Sequence, residues 1–221
     1  MAEYENPQGP VVMQPSNHSA TPPNQPGKRQ REGFGGIAST IAVLLIAPLV
    51  ALFLTSFVFQ SYQVDGPSMQ TTLNNNDRLL VWKLPKTWSR LTGHEYVPKR
   101  GDVVIFLARA LADDANPGGK QLIKRVIALP GERIVIKDGI ATVYNKQHPN
   151  GFSPDQTQPY GKVIKETLTD TDLTVPQGSI FVMGDNRPDS RDSRSFGPVD
   201  VHDVVGKLVL RVWPLGQAKT F

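Results

Sequence analysis

Apolar residues are concentrated near the start of the chain, where residues 33–64 contain no charged side chain. The most apolar part, residues 37–59, is 23 residues long and as an α-helix spans roughly 34 Å. Because a bilayer has a hydrocarbon core of about 30 Å, this length predicts a transmembrane helix, placed at residues 35–60. A buried core helix is the alternative, but a globular helix this long normally carries a polar face. Pro48, in its middle, is tolerated in membrane spans.

Flanking charges predict the orientation of this helix. Lys28, Arg29 and Arg31 precede the apolar segment, and Asp65 is the first charged residue after it. The positive-inside rule therefore puts the N-terminus in the cytoplasm and the rest of the chain on the outer face of the plasma membrane. An internal, thylakoid-type membrane is the alternative. A cleaved signal peptide is disfavoured because the apolar run is too long and starts late.

Residues 1–34 precede this helix and contain six prolines and few apolar residues. This composition predicts a disordered cytoplasmic tail.

Residues 61–221 are predicted to form an exported, β-rich domain. Short apolar runs, alternating or continuous, recur between Gly and Pro residues and predict strands. The predicted strands are Arg78–Lys83, Asp102–Leu107, Leu122–Leu129, Arg133–Lys137, Ile140–Tyr144, Ser179–Met183 and Val204–Val212. Asp138 and Gly139 predict a tight hairpin, whereas residues 145–176 are polar and loop-like. Since no sustained helical period follows residue 65, the predicted fold class is mainly β, with antiparallel sheets after one N-terminal transmembrane helix.

Composition narrows the chemistry that this domain can perform. The 221 residues include no cysteine, which excludes disulfide scaffolds, thiol nucleophiles and Cys-rich zinc sites. The histidines fall in no metal-ligand spacing, so no metal site is predicted: they are His18, His94, His148 and His202. The net charge of +4, without a basic run interleaved with aromatics, does not suggest a nucleic-acid partner.

Hydroxyl groups remain as candidate nucleophiles, and Ser68 is the first of them. It lies in a Gly-Pro-Ser-Met turn nine residues after Phe59, so it is at most about 30 Å along the chain from the apolar helix. A serine after Gly-Pro is also an ordinary turn residue.

Lys124 is a candidate base. In a strand, its neighbours on the same face are Leu122 and Val126, which would exclude water from the amine. Burial disfavours the ammonium ion and lowers the pKa of lysine, as a general base requires. The alternative is an edge strand whose Lys and Arg side chains prevent unwanted strand pairing.

A third cluster, residues 184–194, carries three Asp, three Arg and two Ser. It fits a solvated loop tied by salt bridges, or a rigid support that orients a catalytic group. A calcium loop is disfavoured by the three arginines and by the absence of the EF-hand pattern.

Together these segments resemble the type I signal peptidases, membrane-anchored serine/lysine endopeptidases of protein export. The resemblance rests on four blocks in the same order, after an apolar span: Ser68–Leu73, Arg100–Phe106, Lys124–Glu132 and Gly184–Arg194. It covers residues 37–214 and leaves the tail outside.

The resemblance implies that Ser68 is the nucleophile and Lys124 the general base, with Ser190 hydrogen-bonded to the lysine amine. Met69 is implied to lie beside the substrate groove. A structural ion-pair group is also implied: Asp192, Arg194 and Arg125. Where some members carry a hydroxyl that completes the oxyanion hole, this chain has Gly66, which leaves the backbone N–H of Ser68 as the implied donor.

The implied function is the removal of signal peptides from exported preproteins at the bilayer, without a cofactor. Two alternatives stay open: a related serine/lysine processing protease of different specificity, and a non-catalytic, membrane-anchored β module. A histidine base in place of Lys124 is a further alternative for the mechanism. The identity of the preproteins and the oligomeric state are not predicted.

Overall fold

The structure is a computed structural model that describes residues 34–157, 163 and 170–221. The N-terminal apolar segment is helical in it. Helix α1, Phe34–Phe53, contains Pro48 and continues as a π-helical turn over Leu54–Val58. Residues Ser39–Val58 are long and apolar enough to cross a membrane. The predicted disordered tail lies outside the described residues except for Phe34. The contacts divide the chain into two units, residues 1–44 and 45–221.

The second unit is built mainly from strands, as the sequence predicts. Its strands within the described residues are β1 Phe59–Gln63, β2 Arg78–Trp82, β3 Val103–Ala108, β4 Lys120–Ala128, β5 Arg133–Lys137, β6 Ile140–Tyr144, β7 Thr171–Thr174, β8 Ser179–Met183, β9 Val199–Asp200, β10 Val204–Trp213 and β11 Lys219–Thr220. Its other helices there are α2 Leu84–Thr92, α3 Pro154–Thr157 and α4 Ser193–Phe196, with 3-10 turns at Arg109–Leu111, Val201–Asp203 and Leu215–Gln217.

All strand pairs are antiparallel within the described residues. One sheet of eight strands has the order β1-β2-β10-β3-β4-β8-β9, with β11 paired to β10. A second sheet has the order β6-β5-β7. The predicted hairpin joins β5 to β6, where Asp138 and Gly139 both have positive φ angles, as a tight hairpin turn requires. These findings confirm the predicted fold class.

Two predictions about local structure are wrong. Residues 84–92 form a helix although no helix was predicted after residue 65. Its apolar positions, Leu84, Trp88 and Leu91, cover only two turns, and the helix ends at Gly93 in the left-handed conformation. Part of the predicted 145–176 loop also pairs with β5 as strand β7, because the sheet supplies hydrogen bonds to a segment with few apolar residues.

Three apolar clusters form the core and fix β4 in the middle of the large sheet. Val104, Phe106, Val126 and Val182 are completely buried in the first cluster. The second packs the small sheet against the ends of β4 and β8. The third lies under the β1–β2 connection and contains the following side chains: Val64, Met69, Leu73, Leu79, Val103 and Leu208. This third cluster supports the turn that carries Ser68.

Candidate active site

The structure brings together Ser68 and Lys124, which are 56 residues apart in the sequence. The Nζ atom of Lys124 lies 2.8 Å from the Oγ atom of Ser68. Nζ also donates a hydrogen bond of 3.0 Å to the carbonyl oxygen of Ile123. A serine hydroxyl in direct contact with an amine has the geometry of a nucleophile beside its base.

Ser68 is held in place by the turn between β1 and β2. Gly66 has a φ angle of +95°, which favours glycine, and its N–H donates to the side chain of Asn75. The turn is closed further by hydrogen bonds from Gln70 N–H to the Pro67 carbonyl and from Leu73 N–H to the Met69 carbonyl. The serine therefore projects from a fixed backbone.

Lys124 lies in the middle of β4, opposite Val104 of β3, and only 2% of its surface is exposed. Burial lowers the pKa of its amine from 10.5 to about 8, although the nearby carboxylates of Asp192 and Asp185 oppose this shift. At pH 7 a pKa of about 8 leaves roughly a tenth of the amine neutral, against about 0.03% at the ordinary value. The site thus holds a lysine that can act as a base near neutral pH.

Arg125, the next residue along β4, is held by a different set of partners. Its guanidinium makes a two-pronged ion pair with Asp185, with distances of 2.8 and 2.6 Å, and donates to the Gly101 carbonyl at 2.8 Å. Thr72 donates to the same carboxylate. Asp185 therefore ties strand β4 to the turn that carries Ser68.

The implied ion-pair group is divided into two pairs in the structure. Asp192 is fully buried and pairs with Arg194 through two contacts of 2.7 Å. It also accepts a hydrogen bond from the Gly184 N–H. Arg125 pairs with Asp185 instead, a residue to which the sequence analysis gave no role.

Residues 184–190 also support the backbone around Ser68. The N–H of Asn186 donates to the Ser68 carbonyl at 3.1 Å, and its side-chain amide donates to the Pro67 carbonyl at 3.2 Å. A Cβ atom at Gly184 would collide with the Ser68 carbonyl oxygen and the Ser190 hydroxyl, so only glycine fits here. The Gly-Asp-Asn triplet is the sequence signal for these contacts, but their partners depend on the fold.

Ser190 does not make the hydrogen bond to the Lys124 amine that the resemblance implies. Its hydroxyl is buried and has no hydrogen-bond partner among the described residues. It lies near the Cα atom of Gly184 and hence near the Ser68 carbonyl. A buried hydroxyl without a partner costs free energy, which makes Ser190 a functional candidate.

A cleft of about 120 Å³ opens beside Ser68 and Lys124. Its lining is mostly apolar and includes Tyr62, Val64, Leu79, Ile105, Leu122 and Ile123. Met69, implied to lie beside the substrate groove, is not among the residues that line this cleft. Its side chain is 1% exposed and packs with Leu79 in the core below, so it supports the wall of the cleft.

The histidines that could serve as alternative bases are exposed and have other contacts. The Nδ1 atom of His202 is 2.8 Å from Asp200, and that of His148 is 3.3 Å from Asn145. His94 is also exposed. The contact with the Ser68 hydroxyl favours Lys124 as the base.

No group of three or more possible metal ligands occurs in the described segments 34–157, 163 and 170–221. The arrangement at Ser68 is suited to nucleophilic attack on a carbonyl, with the proton passing to an amine.

Comparisons with known proteins show which family this chain resembles. The family described as "Signal peptidase, peptidase S26" matches residues 37–213. A relative named signal peptidase I from Bacillus caldolyticus is 37% identical over 186 residues, covering 78% of this chain and 89% of the relative. One from Leptolyngbya laminosa is 30% identical over 200 residues, covering 89% and 90%. A crystal structure titled as a signal peptidase I from Enterococcus faecalis is 30% identical, covers 52% of this chain and 98% of that chain, and has a TM-score of 0.36.

The buried amine predicts a specific pH dependence. We expect a serine-directed acylating inhibitor to modify Ser68 at a rate that rises with pH through an apparent pKa of about 8, because only the neutral amine can accept the serine proton. Mass spectrometry of the acylated protein measures this rate. A midpoint near 6.5 would instead point to a histidine base, and a midpoint near 10.5 would show that burial has no effect on Lys124.

Proposed function

The chain belongs to the signal peptidase family, peptidase S26, and we propose on this premise that it removes signal peptides from exported preproteins with Ser68 as nucleophile and Lys124 as general base. Because the chain belongs to this family, it is a serine endopeptidase. The 2.8 Å contact between Lys124 Nζ and Ser68 Oγ is the observation that carries the proposed residue roles.

The reaction begins when neutral Lys124 takes the proton of the Ser68 hydroxyl. The serine oxygen attacks the carbonyl carbon of the scissile bond, and the lysine then gives its proton to the leaving amine. In the second half of the reaction, Lys124 activates a water molecule that hydrolyses the acyl-enzyme. Because the amine is buried, it returns readily to the neutral form between these steps.

The backbone N–H of Ser68 is the proposed oxyanion donor. This N–H donates no backbone hydrogen bond in the described part of the chain, and the N–H of Asn186 fixes the peptide through the Ser68 carbonyl. Gly66 contributes no side chain, so a bound water is the proposed second donor. One donor of this kind contributes about 10²–10³ to the rate in other hydrolases.

The two buried ion pairs serve this site by fixing its backbone. Asp185 and Arg125 hold β4 against the nucleophile turn. Asp192 and Arg194 hold the segment that carries Gly184 and Ser190. Breaking such a pair leaves an unpaired buried charge at a cost of about 3–5 kcal/mol, so these residues are proposed to act through position and stability.

The proposed substrate is the segment that follows the apolar part of a signal peptide. The cleft beside Ser68 is small and mostly apolar, which supports a preference for small residues of the Ala-x-Ala type. Larger side chains would collide with its walls.

The helix over Ser39–Val58 is proposed to anchor the enzyme in the bilayer, with the tail in the cytoplasm and residues 61–221 outside. Flanking charges support this orientation. Anchoring enzyme and preprotein in one bilayer raises their effective concentration, which is a physical reason for the enzyme to carry such a helix.

Replacing either member of the dyad is expected to abolish cleavage. Ser68→Ala removes the nucleophile and Lys124→Ala removes the base, so each should lower kcat/KM for an Ala-x-Ala preprotein by at least about 10³-fold. The measurement is a cleavage assay with the purified full chain in detergent. Lys120→Ala is the matched control, because Lys120 lies on the same strand but is exposed and pairs with Asp113. Normal cleavage by either dyad variant would contradict the assignment.

Ser190→Ala is expected to separate activity from stability. Removing a buried hydroxyl that has no partner relieves a desolvation cost, so the free energy of unfolding should not fall by more than about 0.5 kcal/mol. If the hydroxyl assists the lysine during acylation, kcat/KM falls by about tenfold or more. Denaturant unfolding and the cleavage assay measure the two quantities. Wild-type kcat/KM in this variant would remove Ser190 from the mechanism.

The absence of cysteine permits a clean test of orientation. A single cysteine at the exposed Asn150 should react in intact cells with a maleimide that cannot cross membranes, because this residue lies in the domain proposed to be outside. Ser16→Cys in the tail should react only after lysis. The opposite pattern would reverse the proposed orientation.

A further inference from the structure

A second cleft, of about 560 Å³, lies beside the end of the proposed membrane span. Residues from that end, Ser56 and Phe57, form part of its lining, together with Lys83, Lys86 and Arg109. Of its lining residues, Gln121 is the one shared with the cleft at Ser68. The mechanism proposed above gives this second cleft no role.

Helix α2 is fixed at the level where the apolar helix ends. The backbone N–H of Lys83 donates to the Val58 carbonyl at 2.8 Å, and its Nζ atom donates to the Ser56 carbonyl at 2.9 Å. Thr87 donates from its hydroxyl to the Phe57 carbonyl at 3.2 Å. These bonds satisfy carbonyl groups that a helix end leaves without partners. They also hold α2 at the depth of the membrane surface, if Ser39–Val58 spans the bilayer.

The outer face of α2 is apolar although it is exposed. Leu84, Trp88 and Leu91 are spaced four and three residues apart, so they lie on one face of the helix. Trp88 is 63% and Leu91 77% exposed. Tryptophan and leucine on one face of a short helix are typical of segments that lie in the interfacial region of a bilayer.

The cleft next to this face is basic. Lys83, Lys86 and Arg109 supply three positive charges, against one negative charge from Asp203. Lys86 is 7% exposed and donates to the carbonyls of Val201 and His202, so its charge is fixed in place. Arg109 donates from Nε to Asp203, and this ion pair uses one of the five N–H donors of its guanidinium.

The cleft thus combines positive charge with an apolar wall at the membrane surface, and an anionic lipid has the complementary chemistry. We propose that it binds the headgroup phosphate of an anionic phospholipid through Lys83, Lys86 and Arg109, with the acyl chains against Phe57 and the outer face of α2. This inference rests on the membrane anchoring proposed above. A bound lipid would fix the height and tilt of the domain over the bilayer, since α2 is joined directly to β2.

Photolabelling tests the proposal with the full chain in lipid nanodiscs. The probe is phosphatidylglycerol with a photoactivatable group on its headgroup, and mass spectrometry locates the modified peptides. Labelling is expected in the peptides that line the cleft, with competition by unlabelled phosphatidylglycerol but not by phosphatidylcholine or inorganic phosphate. Each Lys or Arg side chain near an anionic membrane surface strengthens binding about fivefold. Lys83→Gln and Arg109→Gln should therefore each lower labelling by about this factor.

The matched control is Lys137→Gln, an exposed lysine at the end of β5, remote in sequence from the cleft, which should label like wild type. Thermal unfolding of each variant shows that lost labelling does not come from lost structure. Labelling that is insensitive to both cleft substitutions, or that inorganic phosphate displaces, would overturn the proposal. Displacement by a signal-peptide segment would overturn it as well, in favour of a peptide site.

A parallel experiment in the Ser68→Ala background separates this inference from the proposed function. Labelling should persist there, because lipid binding does not need the nucleophile. Labelling without cleavage in the wild-type protein would contradict the proposed function alone, and cleavage without labelling would contradict the lipid site alone.

Discussion

The buried amine of Lys124 is the constraint on which the rest of this structure depends. An amine in water is protonated at neutral pH and cannot accept a proton from serine. The pKa of this amine is lower because β3 and β8 flank its strand and apolar residues exclude water from it. Burying the ammonium ion is unfavourable, so burial lowers the pKa of the amine to about 8, and the Ser68 hydroxyl lies within hydrogen-bond distance of it.

The position of this amine requires that β4 keep its register. Lys124 and Arg125 are consecutive, so their side chains leave the strand on opposite faces. A slip by one residue would put a guanidinium, which does not deprotonate, beside Ser68. Arg125 prevents this slip because Asp185 and the Gly101 carbonyl hold it on its own side. The main effect of the buried ion pair is therefore on the register. A wrong register would leave a buried charge without its partner, which is strongly unfavourable.

The sequence predicts the long and regular features well and the pairings between distant segments poorly. The apolar helix and the strand runs were predictable because each repeats one pattern over several residues, whereas α2 offers three apolar positions and an early proline, Pro85. The order of the sheet, with β10 between β2 and β3, is a long-range pairing that no local pattern contains. For the same reason the sequence does not show which aspartate forms the ion pair with Arg125. Three aspartates lie within residues 184–194, and the pairing of Arg125 with Met183 across β4 and β8 decides that Asp185 is the one within reach.

The β1–β2 pair links the end of the apolar helix at Val58 to the turn that carries Ser68. β1 begins directly after the π-helical turn that ends at Val58, and its five residues span about 17 Å as a strand. The Ser68 turn follows at its far end, while β2 returns to α2 beside Val58. A flexible connection would let the serine sample a range of positions relative to α2, whereas paired strands fix one position. The paired strands therefore hold the Ser68 turn at a fixed distance from α2, and a displacement of α2 is transmitted to Ser68 through the same two strands.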